Sequence, residues 1–256
     1  AWRHHFGRGF VDTPGDLGLR GEPPSHAALL DDLAWRFVNE GDWSLRWLHR
    51  EIVMSRCWQQ SSQLRDDLQE IDPDNRLFAR ANRRRLPWEA WRDSLAMAAG
   101  ALDLTRDGGP GVDPLHADNL AVRSLYARLD RQDVPGMLRI FDIANPDTAV
   151  HVRSQTTVPQ QSLAVLNSPL VVEAARRLAA RALAEAGSEG NAEFVRQLWR
   201  DALSRTPTDD EQGMALGWLE AEASADAAEG DASASFDRHA RLAQAVLATA
   251  EFQFID

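Results

Sequence analysis

Apolar side chains recur at helical spacing through most of the chain. Trp2 to Phe10 reads as the end of a helix broken by Gly7 and Gly9, the usual left-handed stop. Residues 11–24 hold Thr13-Pro14-Gly15, Gly18, Gly21 and Pro23-Pro24, which forbid a continuous element. Ser25 is suited to cap a helix through about Asn39, with Ala28, Leu29, Leu33, Phe37 and Val38 in one stripe and Gly41 as the stop. Ser44 is suited to cap the next, with Leu45, Leu48, Ile52 and Val53 inward, ending near the polar Gln59–Ser62. After the connection Asp72-Pro73-Asp74-Asn75 a further stretch starts near Arg76, and Pro87 fits the first turn of a helix running to about Ala99.

The Gly108-Gly109-Pro110-Gly111 loop marks a possible sub-boundary near residues 101–120. Ser124–Leu129 and Val150–Arg153, leading to Val158, alternate apolar and polar side chains and predict a small antiparallel pair, with Pro135–Asp142 as a short helix between them. Ser162 to about Ala186 is alanine-rich and helical, and residues 192–204 form another helix. Thr208-Asp209-Asp210-Glu211 fits a capping box for a helix toward Ala221. Residues 222–235 are low in complexity and predict a mobile loop before a last helix from Arg238 to about Phe252. There is no internal repeat. The predicted fold is therefore mainly α: one domain over 1–256, with at most a small antiparallel β element around residues 124–158 and a C-terminal helical bundle over 159–256.

Charge changes this picture in one respect. The 256 residues carry 28 basic and 39 acidic side chains, and every basic one is arginine. Guanidinium does not lose its proton in a protein, so Schiff-base, P-loop and general-base lysine chemistry are excluded. The net charge of -11 argues against a duplex nucleic-acid binder. Residues 181–256 hold 6 arginines against 15 acids, so the acidity belongs to the C-terminal quarter. No run approaches the ~18 apolar residues of a membrane span. No signal-peptide pattern opens the chain, which begins at Ala1 and reads as a piece of a longer protein. Cys57 is the only cysteine; its apolar helical context favours an inert thiol over a nucleophile. Seven of the nine tryptophans fall within the first 91 residues; their faces suit sugar stacking, but the i,i+4 spacing of Trp43 and Trp47 favours a core role.

Three constellations are candidates for chemistry. The first joins His4, His5, Arg8, Asp12, Asp16, Arg20, Glu22 and His26. His4, His5 and His26 are weak metal candidates, because adjacent histidines on a helix point about 100° apart; the alternative is that Trp2, His5 and Phe6 pack inward while Arg8 and Asp16 tie the Gly/Pro loop down. The second joins Arg76, Arg83, Arg84 and Arg85 with Glu89, Arg92 and Asp93. It is either an oxyanion site or a set of internal pairs, Arg85 with Glu89 among them. The third is the polar stretch Arg153-Ser154-Gln155-Thr156-Thr157-Val158-Pro159-Gln160-Gln161, which opens into a helix. Backbone donors there, with Arg153, suit an anion or a carbonyl; the plainer alternative is capping by Thr157. No G-x-S-x-G elbow is present.

The motifs Trp2-x-x-x-Phe6-Gly7-x-Gly9-Phe10-Val11-x-Thr13-Pro14, Gly21-x-Pro23-Pro24-Ser25-His26 and Asp72-Pro73-Asp74-Asn75-Arg76-Leu77 resemble, in this order, a planctomycete-specific domain family, domain of unknown function 1553. Arg83-Arg84-Arg85-Leu86-x-x-Glu89-x-x-Arg92-Asp93, Arg153-x-x-Thr156-Thr157-x-Pro159-Gln160 and Leu166-Asn167-Ser168-Pro169 extend the resemblance over nearly the whole chain. Trp88 and Trp91 stand where aliphatic residues are more usual in that family. The resemblance implies the C-terminal domain of a large, multidomain, exported protein, hence an extracytoplasmic location, with upstream domains of the same polypeptide as partners. It implies no settled activity. A haem module often lies upstream in such proteins; this chain has no C-x-x-C-H, so any haem lies outside it and no cofactor is expected here.

Two functions are expected in competition. One is a non-catalytic helical module that binds a partner domain or an anionic glycan through Arg8, Arg76, Arg83, Arg84, Arg153, Thr156 and Gln160. The other is a catalytic domain, hydrolase or redox, acting on an anionic polysaccharide with Asp16, Glu22 or Glu89 as acid or base.

Overall fold

The computed structural model describes residues 1–16, 21–229 and 234–255. The protein is mainly α, with twelve α-helices and one two-stranded antiparallel sheet among the described residues. The chain divides into two compact units, Ala1–Arg84 with the C-terminal residues from Phe254 on, and Arg85–Gln253. Residues 101–120 lie inside the second unit.

In the first unit, α1 (Trp2–Phe6) ends at Gly7, whose φ of 77° places it in the left-handed region and whose N–H donates to Arg3 O at 2.8 Å. Glycine is required there twice over, since a Cβ would stand 2.5 Å from Arg84 Cδ. α2 (Ala27–Asn39) buries no residue. α3 (Leu45–Val53) is capped by Ser44, whose Oγ accepts from Trp47 N at 3.3 Å. α4 (Asp66–Ile71) follows. The core is a small aromatic cluster of Phe6, Ile52 and Phe78, with Trp2 stacked on Phe6 at 4.1 Å and on Phe10 at 4.3 Å. β1 (Arg84–Arg85) pairs with β2 (Phe254–Ile255).

Two expectations for this unit are corrected. His26, not Ser25, is the N-cap of α2, and its side chain makes no cap; Ser25 Oγ instead meets His26 Nδ1 at 2.9 Å. Trp43 is 67% exposed. Its φ is 58°, so it precedes the helix that holds Trp47 and the i,i+4 relation does not apply. The part of the expected 11–24 loop at residues 17–20, Arg20 included, lies outside the described residues.

The second unit is built on α8 (Pro169–Ala186), which packs against α9 (Asn191–Leu203) and α11 (Ala234–Leu247). Ala174, Ala175, Leu178, Ala179 and Ala182 are all at most 1% exposed. Small side chains on this stripe let the neighbouring helices come close, so α8 is the centre of the core. Around it stand α5 (Trp88–Ala98), α6 (Gly136–Ile140), α7 (Pro159–Asn167), α10 (Asp209–Glu229) and α12 (Ala250–Gln253). The capping box forms: Thr208 N donates to Glu211 Oε2 at 2.8 Å and Glu211 N to Thr208 Oγ1 at 3.3 Å.

The one long helix expected over 162–186 is two. Pro169 has no N–H and pushes Ser168 out of the helical region, to φ -72° and ψ 125°. The β element expected around 124–158 is absent there. Ser124–Tyr126 is a turn of 3-10 helix because Asp93 takes both Ser124 N and Oγ at 2.7 Å, and only an isolated parallel bridge, Val112 to Ala127, is present nearby. The loop expected over 222–235 is helical as far as Glu229 and again from Ala234, as its alanines and glutamates favour; residues 230–233 lie outside the described residues. The last helix is interrupted after Leu247 and resumes at Ala250.

Candidate functional site

The three constellations do not share one role. In the first unit they work as internal staples. Arg8 Nε donates to Asp12 Oδ1 at 2.8 Å, and this pairing holds the Asp12 carboxyl below the usual aspartate range. Arg84 Nη1 donates to His4 O at 2.6 Å, tying β1 to α1. Asn75, 2% exposed, donates through Nδ2 to Arg80 O at 2.8 Å and to Asn82 Oδ1 at 2.9 Å, and Asn82 Nδ2 donates to Phe6 O at 2.9 Å. The Arg83 guanidinium lies 5.2 Å from the centre of the Phe254 ring. Arg76 is exposed; its backbone N donates to Asp72 at 2.8 Å, and its charge acts on the Asp12 and Asp72 carboxylates. Asp16 and Glu22 are exposed.

His4 is exposed, His5 Nε2 meets His49 Nδ1 at 2.7 Å, and His26 turns to Ser25. Among the described residues no group of three or more His, Cys, Asp or Glu side chains could hold a metal ion. Burial raises the Cys57 thiol above its ordinary pKa, and its Sγ faces Phe78 O at 3.7 Å, which suits an inert thiol.

The second unit holds a concave site. Its foundation is α5. Arg92, fully buried, donates to three backbone carbonyls: Pro114 at 2.8 Å, Val122 at 2.6 Å and Asn119 at 2.6 Å. That fixes the stretch 114–122 against the helix. One turn earlier, Glu89 receives Arg153 bidentately, with both distances 2.8 Å. Burial raises the Glu89 carboxyl, but the Arg153 guanidinium and the backbone N–H at the start of α5 outweigh it and hold it below the usual glutamate range. The expected Arg85–Glu89 pair does not form. Arg85 instead lies over the Phe141 ring at 5.2 Å, and Phe141 stacks on the buried Trp91 at 5.2 Å.

Gln161, 2% exposed, is the hub above that stack. Its Oε1 accepts from Arg85 and from Val158 N, and its Nε2 donates to Ile140 O at 2.8 Å and Thr156 O at 3.1 Å. Asp142, with a left-handed φ of 57° just beyond α6, accepts from Thr156 N at 2.7 Å and Thr156 Oγ1 at 3.0 Å. Thr157 makes no cap; the helix starts after Val158.

Beside this cluster opens a groove of about 590 Å³, lined among others by Arg131, Arg139, Asp142, Asn145, Asp147 and Arg153. A smaller hollow of about 50 Å³, reaching Arg85 and Phe141, shares Asp142, Arg153 and Ser154 with it. Arg131 and Arg139 are exposed, and their guanidinium groups make no hydrogen bond or ion pair among the described residues. Of the residues expected from sequence, the structure brings Glu89, Arg153 and Thr156 together here; Gln160 is exposed and its neighbour Gln161 carries the bonds. Arg131, Arg139 and Asp142 belong to none of the three constellations, and Gln161 closes the third without being among its expected ligand-binding residues. A glutamine three residues past the N-cap was a usable signal for Gln161; nothing local marks the others.

No curated protein and no solved structure matches the chain. The model of one family does, over residues 1–219, and its description is a protein of unknown function. The chain belongs to that family, DUF1553, also named PSD1.

Proposed function

We propose that the chain is a non-catalytic helical module that receives an anionic ligand, an anionic glycan or an acidic part of a partner domain, in the groove of the second unit. The observation that carries this reading is the pair Arg131 and Arg139, two exposed guanidinium groups that line the groove and have no partner among the described residues. Unpaired guanidinium beside a concave surface is the side-chain chemistry that grips carboxylate and sulfate. Arg153, already held by Glu89, sets the groove's shape and adds to its positive field.

Binding is favoured over catalysis by the condition of Glu89. It is kept ionised, so it has no proton to donate as a general acid, and both of its oxygens already accept from Arg153, which leaves neither open to act as a base. The other two acid candidates, Asp16 and Glu22, belong to the first unit. An exported, multidomain planctomycete-type parent with an extracytoplasmic location is part of the same proposal, supported by the motif resemblance. A thermal-shift screen of sulfated and uronic-acid oligosaccharides and poly-glutamate tests it. Wild type is stabilised by polyanions, less so as salt rises, and the Arg131→Ala/Arg139→Ala double variant is not. No shift with any polyanion overturns the reading.

A further inference from the structure

The groove is lined from two stretches of chain. One, between Arg131 and Val150, carries Arg139 and Asp142; the other is Arg153-Ser154. Two side chains tie the stretches together. Asp142 accepts from Thr156 N at 2.7 Å and from Thr156 Oγ1 at 3.0 Å. Gln161, in the first turn of α7, donates through Nε2 to Ile140 O at 2.8 Å and to Thr156 O at 3.1 Å. Ile140 directly follows Arg139, and Thr156 lies three residues beyond Arg153. Gln161 itself is 2% exposed and is not among the residues that line the groove. Its amide suits the place: two carbonyls need a donor there, and two N–H groups, of Arg85 and Val158, need an acceptor. A carboxylate would lose the donors and bring a charge to a buried position. An apolar side chain would leave Ile140 O and Val158 N without this partner.

We infer that Gln161 is a positioning residue of the anion site: it touches no ligand, but by holding the backbone that carries Arg139 against the backbone that carries Arg153 it sets which spacing of negative charges the groove accepts. This rests on the groove being the anion site, and it adds what makes that site selective. Guanidinium grips an oxyanion along fixed N–H directions, so two such groups on tied stretches of backbone favour one spacing of anionic groups; a diffuse positive field favours none. Arg153 is able to take part, because Glu89 occupies two of its five N–H groups and leaves three. Gln161 carries no charge, so its effect is separable from that of the arginines it positions.

The experiment is calorimetric titration of the full chain with two disulfated disaccharides of equal charge that differ only in sulfate position, one a strong and one a weak ligand of wild type. Gln161→Met and Gln161→Glu are titrated beside wild type and Arg139→Ala, at several salt concentrations, and hydrogen exchange in α8 checks that each variant is folded. Both Gln161 variants lose the Nε2 donors, so in both the ratio of the two Kd values is expected to fall by about fivefold or more. The salt dependence of binding stays at the wild-type value in Gln161→Met, because no charge is removed, and weakens in Arg139→Ala. Should Gln161→Met not fold, Gln161→Glu, which keeps the acceptor for Arg85, decides by the same ratio. Equal loss of affinity for both disaccharides, with their ratio intact, makes Gln161 a purely structural residue and overturns the inference; so does an unchanged ratio without loss. Wild type that binds all such isomers alike overturns it too, while leaving the anionic groove standing. If wild type binds no polyanion, the groove reading falls and the inference with it.

Discussion

The two units hold themselves together by different means. In the first, the buried apolar cluster is Phe6, Ile52 and Phe78, and α2 buries nothing. Order over long sequence separations then depends on polar side chains that reach backbone carbonyls: Asn82 to Phe6 and Arg84 to His4. In the second, α8 lies in a continuous apolar core that includes Leu178, Phe194, Leu198, Leu219 and Leu247, all fully buried. Where the core is small, motif arginines and asparagines are consumed by structure. Where it is large, surface arginines such as Arg131 and Arg139 are left over, and they are the ones available to a ligand.

The comparison breaks hardest at Arg92, where the second unit too depends on a guanidinium, here a fully buried one. Arg92→Leu removes the donor from three carbonyls, Pro114, Asn119 and Val122, in a site without water access. About 3–5 kcal/mol of stability is expected to go, the range for removing one partner of a buried charged network. Chemical denaturation of the full chain measures it; a loss below about 1 kcal/mol would mean that the stretch around 114–122 is held by something else.

A smaller effect separates the units. Ile52→Ala deletes the most buried apolar side chain of the first unit, 2% exposed. A destabilisation near 2 kcal/mol is expected, at the low end for such deletions because the partly exposed neighbours can close in. Hydrogen exchange should speed up in α3 and stay unchanged in α8. Equal acceleration in both helices would show that the two cores unfold as one.

How much of this could be read from the chain follows the same division. Signals that act within four residues were readable: Gly7 as a stop, Ser44 as a cap, Thr208 with Glu211 as a capping box, the mainly helical class. The break at Ser168 was carried by Pro169 but hidden inside an alanine-rich run. Alternation at 124–129 and 150–158 was real as a pattern, but a strand needs a partner, and neither segment has a partner strand among the described residues. At the site, Arg153 and Thr156 were found because polar residues ahead of a helix are conspicuous. Asp142 was not, because its reach to Thr156 spans 14 residues and depends on the left-handed turn after α6. Three consecutive arginines gave no clue that Arg84 and Arg85 serve different carbonyls and different units.

Acid should sharpen the comparison within the second unit's surface. Arg205 donates to both Glu211 and Glu251, at distances of 2.6–2.8 Å, fastening the start of α10 to α12. Chiefly through Arg205, the Glu211 carboxyl is drawn down from its ordinary 4.5 to about 2. A carboxyl with a lowered folded-state pKa adds stability that is whole above pH 4.5 and is lost as pH falls from there toward about 2. Glu211→Gln should therefore flatten the pH dependence of the denaturation midpoint in that window and leave its shape near pH 7 unchanged. The pair is largely solvated, so the difference is expected to be modest and to shrink in high salt. Parallel curves for the two proteins would show that Arg205 contributes nothing there.

The smallest effect on stability is expected to be the most informative about function. The Arg139 side chain is exposed in the groove and makes no hydrogen bond or ion pair among the described residues, so Arg139→Ala should change stability by no more than about 0.5 kcal/mol. Arg84→Ala removes the donor to His4 O and the methylenes packed on Gly7, so it should destabilise the first unit measurably. With a polyanion present the order should invert: Arg84→Ala keeps the ligand-induced rise in melting temperature, and Arg139→Ala loses most of it. Two arginines of one chain would then be separated by readout alone, one serving the fold and one the ligand. Should both variants lose the rise equally, binding would depend on the integrity of the whole chain and not on the groove. Should neither lose it, Arg131 and Arg153 would have to carry the anion without Arg139, and the double variant at 131 and 139 decides between those two.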